Sequence, residues 1–287
     1  MRQFRDRVAV VTGAASGIGR ALAERFATEG MRCVLADVDA DALDRAVGEL
    51  RRGGAAAIGV RTDVASAADV QALADRTVSE FGAVHLLCNN AGVGAGSDFA
   101  TIPLDVWEWV LGVDLWGVIH GCRAFLPLLL EQDEAHIVNT SSMAALNGHP
   151  LGLAPYTTAK FGVLGLSQNL FFELAATTGG RVGVSVLIPG LTRTRIFESD
   201  RNRPADVAPP PPSSFDATSR AAIAGALDGA LDPATVANAV LDAVRDQRFY
   251  ILPHPEEAFD MAEQQVRWMR TGEPLRPGPG VARTADR

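Results

Sequence analysis

From Val8 onward the chain repeats one unit: a short apolar run, a turn, then a stretch with helical spacing of apolar residues. The apolar runs fall at 8–11, 32–36, 55–60, 84–88, 136–139, 182–188 and 249–252. They lack strict apolar–polar alternation, as strands covered on both faces do. Helical patterns lie between them at 17–29, 39–51, 67–80, 104–130, 156–177 and 233–246. Parallel strands need long crossovers and antiparallel ones do not, so this alternation predicts a doubly wound α/β sheet with helices on both faces. Folds of this kind often reach about 250 residues as one unit, so the 287 residues are read as a single domain, 1–287.

Two segments break the rhythm. Residues 193–225 hold Asp200-Arg201-Asn202-Arg203-Pro204 and then four prolines, 209–212, without a strong helical period. The segment follows a strand, on the side where such sheets bind ligands, and is expected to be a substrate lid. Residues 271–287, with Pro274, Pro277, Gly278, Pro279 and Gly280, are expected to be a flexible tail. An extra helix is expected at 256–270.

The first strand runs into Thr12-Gly13-Ala14-Ala15-Ser16-Gly17-Ile18-Gly19, where a helix starts. Glycines let backbone approach an anion, and free N–H groups at a helix start donate to it. Gly13, Ser16, Gly17, Ile18 and Gly19 are therefore candidates for holding a pyrophosphate. The second strand ends at Asp37, an interval of 18 residues from Gly19. An acid there can accept from both ribose hydroxyls and repels a 2′-phosphate, and no Lys or Arg occupies 36–40. NAD is expected in preference to NADP. The run Asp37-x-Asp39-x-Asp41 fails as a calcium loop, since Ala42 and Gly48 stand at its sixth and twelfth positions.

Together with Asp63-Val64, Asn89-Asn90-Ala91-Gly92, Ser142, Tyr156-Thr157-Thr158-Ala159-Lys160 and Pro189-Gly190 to Thr194, the glycine loop resembles the short-chain dehydrogenases/reductases over about residues 5–252. The resemblance implies a Rossmann-type seven-stranded parallel sheet and metal-free hydride transfer between nicotinamide and a carbonyl or alcohol carbon. It implies that Asp63 holds the adenine amino group with Val64 beside it, and that Asn90, Ala91 and Gly92 support the central strand and face the ribose. Pro189, Gly190 and Thr194 would bracket the nicotinamide.

Tyr156 and Lys160 are four residues apart, on one face of a helix. A phenol's ordinary pKa near 10 is too high for a base at neutral pH. A neighbouring ammonium and the nicotinamide's positive charge are expected to lower it, making Tyr156 the acid/base, with Lys160 also bonding the nicotinamide ribose. Ser142 is expected to hold the substrate oxygen, with Ser141 the alternative. Where the family usually has Asn, in an N-x-x-G pattern, this chain has Asp114. A carboxylate near Lys160 would change the local charge, so Asp114 joins the catalytic set. Val93, Met143, Ala144, Asn147, Leu153, Leu191 and Phe197 are the expected pocket wall. Met143, Asn147, Leu191 and Phe197, with Ser142, are the substrate-binding candidates. Their apolar bias suggests a bulky alicyclic, terpenoid, steroid-like or aromatic secondary alcohol or ketone. A non-catalytic NAD-binding regulator, or an isomerase or dehydratase on the same site, is the alternative.

Other classes are disfavoured. With 26 Lys and Arg against 34 Asp and Glu, the net charge is −8, which offers nucleic acid no basic footprint. Cys33, Cys88 and Cys122 form no CxxC pair, and no two of the five histidines have metal-ligand spacing, so no metal is expected. His149 is read as a surface loop residue. The apolar stretch 110–130 contains Asp114, His120, Arg123 and Pro127, a poor membrane span. The thiols and the absence of a signal-like leader suggest the cytoplasm. Phe161, Leu164, Leu166, Phe171 and Phe172 surround the helix at 156–177, so a homotetramer or homodimer built on it and on 104–130 is expected.

Overall fold

The computed structural model describes residues 1–147, 152–213 and 229–273. Seven parallel strands form one sheet in the order β3-β2-β1-β4-β5-β6-β7. They are β1 (Val8–Thr12), β2 (Arg32–Asp37), β3 (Ala57–Arg61), β4 (Leu86–Asn89), β5 (Ala135–Thr140), β6 (Val182–Leu187) and β7 (Tyr250–Ile251). The helices are α1 (Gly17–Thr28), α2 (Ala40–Arg52), α3 (Ala67–Phe81), α4 (Leu104–Leu111), α5 (Gly117–Leu130), α6 (Ala144–Asn147), α7 (Ala154–Thr178), α8 (Pro233–Asp246) and α9 (Pro255–Thr271). Strand order reverses between β1 and β4, and the crevice of a doubly wound sheet opens at such a reversal.

Alternation of side chains along each strand divides the core into two layers. Val11, Leu35 and Cys88 pack with Leu22 and Phe26 of α1, Leu43 of α2 and Val240 of α8. Val10, Val34 and Leu87 face the other way, onto Leu73 of α3, Phe125 of α5 and Leu170 of α7. Two small residues let α5 lie close on its neighbours. A Cβ at Gly121 would stand 2.0 Å from Asn89 Oδ1, and one at Gly117 2.8 Å from Val64.

The sequence suggests one unbroken helix over 104–130. The structure corrects this: a π-helical turn, Gly112–Trp116, separates α4 from α5 and holds Asp114. Such turns widen a helix where a side chain must be redirected. By length and hydropathy Leu104–Leu130 could cross a bilayer. Here Val118, Phe125 and Leu129 are in the core and Asp114 is fully buried.

Residues 193–213, after β6, are held to the body of the fold by hydrogen bonds. A 3₁₀ helix, Ile196–Asn202, is tied down by Ser199, whose hydroxyl accepts from the Gly94 N–H at 2.8 Å. Ser97 donates to the Pro211 carbonyl at 2.8 Å. Residues 214–225 of the expected lid, 274–287 of the expected tail, and His149 lie outside the described residues.

Candidate active site

Among the described residues three helices have side-chain caps: Asp39 accepts from Ala42 N on α2, Ser66 from Asp69 N on α3, and Asp232 from Ala234 N on α8. At α1, Ser16 makes no such bond and the first turn carries no acid. Two glycines here have no room for a side chain. Gly13 has φ +66°, and a Cβ there would meet Ala91 Cα at 2.8 Å, while one on Gly19 would meet the Gly13 carbonyl oxygen at 2.2 Å. An uncapped helix start behind a bare backbone loop fits a dinucleotide phosphate.

Thr12 fastens this loop to the strand across the switch point. Its hydroxyl accepts from Asn90 N at 2.9 Å and Ala91 N at 3.1 Å, and the Asn90 amide donates to the Thr12 carbonyl at 3.0 Å. Asn90 and Ala91 thus brace the central strands, as the sequence suggests, but nothing in the sequence singles out the bracing hydroxyl of Thr12. Both oxygens of Asp37 accept backbone bonds, from Ala15 N at 2.9 Å and Asp39 N at 3.1 Å. A cleft of ≈ 270 Å³ opens beside them, walled by Ala15, Ser16, Arg20, Asp37, Arg45, Arg195 and Arg201 among others. Four arginines therefore share this cleft with Asp37, although none lies within 36–40; they arrive from α1, α2, the 3₁₀ helix and the residue before it, which sequence proximity could not show.

Residues 90–92 connect this cleft to the catalytic candidates. Ala91 touches Gly13, and a Cβ on Gly92 would lie 3.4 Å from Lys160 Nζ and 3.5 Å from Asp114 Oδ2. Asp114 pairs with the Lys160 ammonium at 3.1 Å, and both side chains are buried. The other Asp114 oxygen accepts from Val93 N at 2.8 Å, and Lys160 donates to the Thr140 carbonyl at 3.2 Å. Pro155 in the first turn of α7 starts the helix just ahead of Tyr156. The ammonium lies 5.4 Å from the centre of the Tyr156 ring, which packs on the cluster of Val93, Val106 and Trp109.

Lys160 pulls the Tyr156 phenol down, as expected, but burial outweighs it. The Tyr156 phenol stands above, not below, its ordinary pKa. Burial disfavours the phenolate most; Lys160 and the hydrogen bond with Ser142 pull down, and Asp114 pushes up. Burial opposes the Lys160 ammonium, but Asp114 and Tyr156 outweigh it and hold it charged. Burial pushes the Asp114 carboxyl up against the attraction of Lys160 and the Val93 N–H.

The two serines separate cleanly. Ser141 is buried and donates to the Lys160 carbonyl at 2.7 Å. Ser142 is part-exposed, accepts from Ala144 N at 3.2 Å and bonds the Tyr156 phenol. Ser142 is the hydroxyl that faces Tyr156.

On the far side, the side chain of Thr194 lies against Gly17. Met143 N donates to the Pro189 carbonyl, and Gly190 N donates to His254 Nδ1 at 3.2 Å. His254, at the start of α9, has no sequence signal, because the fold brings it back only after the last strand. Asp63 forms the turn ahead of α3, accepting from Ala65 N at 2.9 Å, and Val64 is packed on Gly117. Val93, Met143 and Ala144 are buried, Leu153 and Leu191 partly so, and Phe197 is half exposed on the 3₁₀ helix. Met143 and Val93 belong to different apolar clusters, one behind Pro189-Gly190 and one behind Tyr156. Asn147 ends α6.

Residues 7–205 match the family model described as short chain dehydrogenase. The 1-deoxy-11-beta-hydroxypentalenate dehydrogenase of Streptomyces exfoliatus is 40% identical over 198 residues, covering 68% of this chain and 70% of that one. A short chain dehydrogenase/reductase from Burkholderia phymatum, solved in complex with NAD, superposes with a TM-score of 0.91 at 40% identity, covering 98% of this chain and 100% of that one. A variant of the actinorhodin polyketide ketoreductase solved with NADPH gives a TM-score of 0.73 at 31% identity, over 88% and 97% of the two chains.

Proposed function

The chain belongs to the short-chain dehydrogenase family, and from that premise we propose that it transfers a hydride between NAD(H) and a bulky, largely apolar secondary alcohol or ketone. The observation that carries this reading is the bridge of residues 90–92, which touches the glycine loop on one side and the Asp114–Lys160–Tyr156 group on the other.

The dinucleotide, when bound, supplies the hydride acceptor or donor. Gly13, Ser16, Gly17, Ile18 and Gly19 would hold its pyrophosphate, and Asp37 its adenosine ribose. Asp63 and Val64 would flank the adenine. Asn90, Ala91, Gly92, Pro189, Gly190 and Thr194, with Tyr156 and Lys160, would line the nicotinamide half. The remaining chemistry is the chain's own. Ser142 donates to the substrate oxygen and stabilises charge developing there. Tyr156 takes the alcohol proton, or returns one to a carbonyl oxygen. Lys160, held as ammonium by Asp114, favours the phenolate that this transfer requires. Preference for NAD is supported by Asp37, whose charge opposes a 2′-phosphate.

A second copy of the chain would cover the exposed Leu104, Trp116, Phe161 and Phe172 of the α4–α5 and α7 faces, giving a homodimer or homotetramer. Three buried free thiols fit a reducing cytoplasm.

The test is NAD⁺ reduction across cyclic, terpenoid, steroid and aryl alcohols at pH 7–10, with Tyr156→Phe alongside. Turnover of at least one class, lost by ~100-fold or more in the variant, is expected. Conversion without net NADH formation would overturn the assignment.

A further inference from the structure

Among the four arginines around the dinucleotide cleft, Arg201 differs in how it is held. Arg20 is clamped by Glu24 at 2.7 Å and by Glu49, and Arg195 by Glu198 at 2.7 Å. Arg45 and Arg201 face no carboxylate at ion-pair distance among the described residues. Of these two, only Arg201 is anchored: its Nη1 donates to the carbonyls of Arg195 at 2.8 Å and Glu198 at 2.9 Å. A guanidinium has five donors. Those on Nε and Nη2 have no partner among the described residues, while the group itself lines the cleft with Ser16 and Asp37.

The arm that carries Arg201 is seated on the phosphate loop itself. Thr194 lies against Gly17 at the start of α1, with 3.1 Å between its Cγ2 and a Cβ placed there. Ser199 is buried and bonded to Gly94. A fixed guanidinium with three donors left over, beside an uncapped helix start and in a cleft that also holds Asp37, Asp39 and Glu49, is suited to an oxyanion with more than one acceptor. Asp37 in the same cleft disfavours a phosphate on the ribose 2′ position, which leaves the pyrophosphate.

Building on the dinucleotide-binding reading above, we propose that Arg201 clamps the cofactor's pyrophosphate from the segment after β6, closing the side that the glycine loop leaves open. The strand-end arm that borders the substrate side thereby also holds the cofactor.

The experiment measures dissociation constants of NADH, ADP-ribose, NADPH and adenosine for the wild type, Arg201→Ala and Arg201→Lys by calorimetry. ADP-ribose carries the pyrophosphate without nicotinamide, and adenosine carries neither phosphate. Arg201→Ala is expected to weaken NADH and ADP-ribose alike by ~10-fold or more, with adenosine unchanged and Lys recovering part of the loss. Unchanged ADP-ribose affinity overturns the clamp. So does a loss confined to NADPH, which would place Arg201 at a 2′-phosphate, or an equal loss for adenosine, which would mean damage to the cleft. A wild type that binds none of the dinucleotides would overturn the function reading itself, whereas one that binds them as tightly as Arg201→Ala does would overturn only the clamp.

Discussion

Replacing Asp114 by Asn isolates the charge at a position where this chain departs from its family's usual pattern. The amide keeps an acceptor for Val93 N–H, now 2.8 Å from the carboxylate, and removes the anion 3.1 Å from Lys160. Those 3.1 Å and the 5.4 Å from ammonium to ring place Asp114 at most about 8.5 Å from the Tyr156 ring centre. Unit charges about 8.5 Å apart in an effective dielectric of about 20 repel by ~2 kcal/mol, or ~1.4 pKa units. The carboxylate opposes the phenolate, so its removal lowers the pKa of the base. The pH profile of kcat/KM for alcohol oxidation should move its rising limb about one unit toward lower pH. Melting temperature should fall less than for a nonpolar replacement, because the amide keeps an acceptor between Val93 N–H and Lys160. Asp114→Leu, by contrast, leaves a buried ammonium unpaired and should cost ~3–5 kcal/mol of stability. A limb that stays in place for Asp114→Asn, in an enzyme folded as well as the wild type, would falsify the electrostatic argument and leave Asp114 a purely structural acceptor.

Other outcomes follow from the same geometry. Ser142→Ala should lower kcat by ~100-fold or more with little change in melting, while Ser141→Ala, which strips a buried donor from the Lys160 carbonyl, should cost ~1 kcal/mol in urea titrations and spare most activity. Asp37→Ala should narrow the ratio of kcat/KM between NADH and NADPH; an NADPH preference already present in the wild type would refute the role given to Asp37. Stability should fall on acidification: burial holds His136 neutral, with its pKa pushed down to about 3, so below the ordinary value near 6.5 the unfolded chain binds the extra proton. Its contribution is complete above about pH 6.5 and declines as pH falls toward 3, by ~2 kcal/mol at pH 5, in proportion to the proton uptake. Urea midpoints of wild type and His136→Gln at pH 7.5 and pH 5 check this; an equal drop in both proteins would acquit His136.

The sheet was legible because its causes are local. Every strand needs apolar residues on both faces, and seven such runs can be counted along the chain. The glycine loop was legible for the same reason, since Gly13 at φ +66° and Gly19 beside the Gly13 carbonyl are constraints that no other residue meets. The pair at 156 and 160 needed only helical spacing. What stayed hidden was long-range. Arg195 and Arg201 reach Asp37 across more than 150 positions of chain, His254 meets Gly190 after a further strand and turn, and Ser199 finds Gly94. The π turn at Gly112–Trp116 was hidden for another reason: its residues have the same apolar spacing as the helices on either side.

That turn explains why the sign of the Tyr156 shift could not be read from the motif. A tyrosine four residues before a lysine suggests a phenol beside an isolated cation. In the folded chain the cation is not isolated, because the π turn delivers a carboxylate to it that offsets part of its pull on the ring. Burial then decides the balance and holds the phenol protonated. The protein alone therefore presents an acid at this point, and positive charge brought to the crevice from outside shifts it toward the base. The charge state of Tyr156 is set first by burial, then by the pull of Lys160, which Asp114 partly offsets.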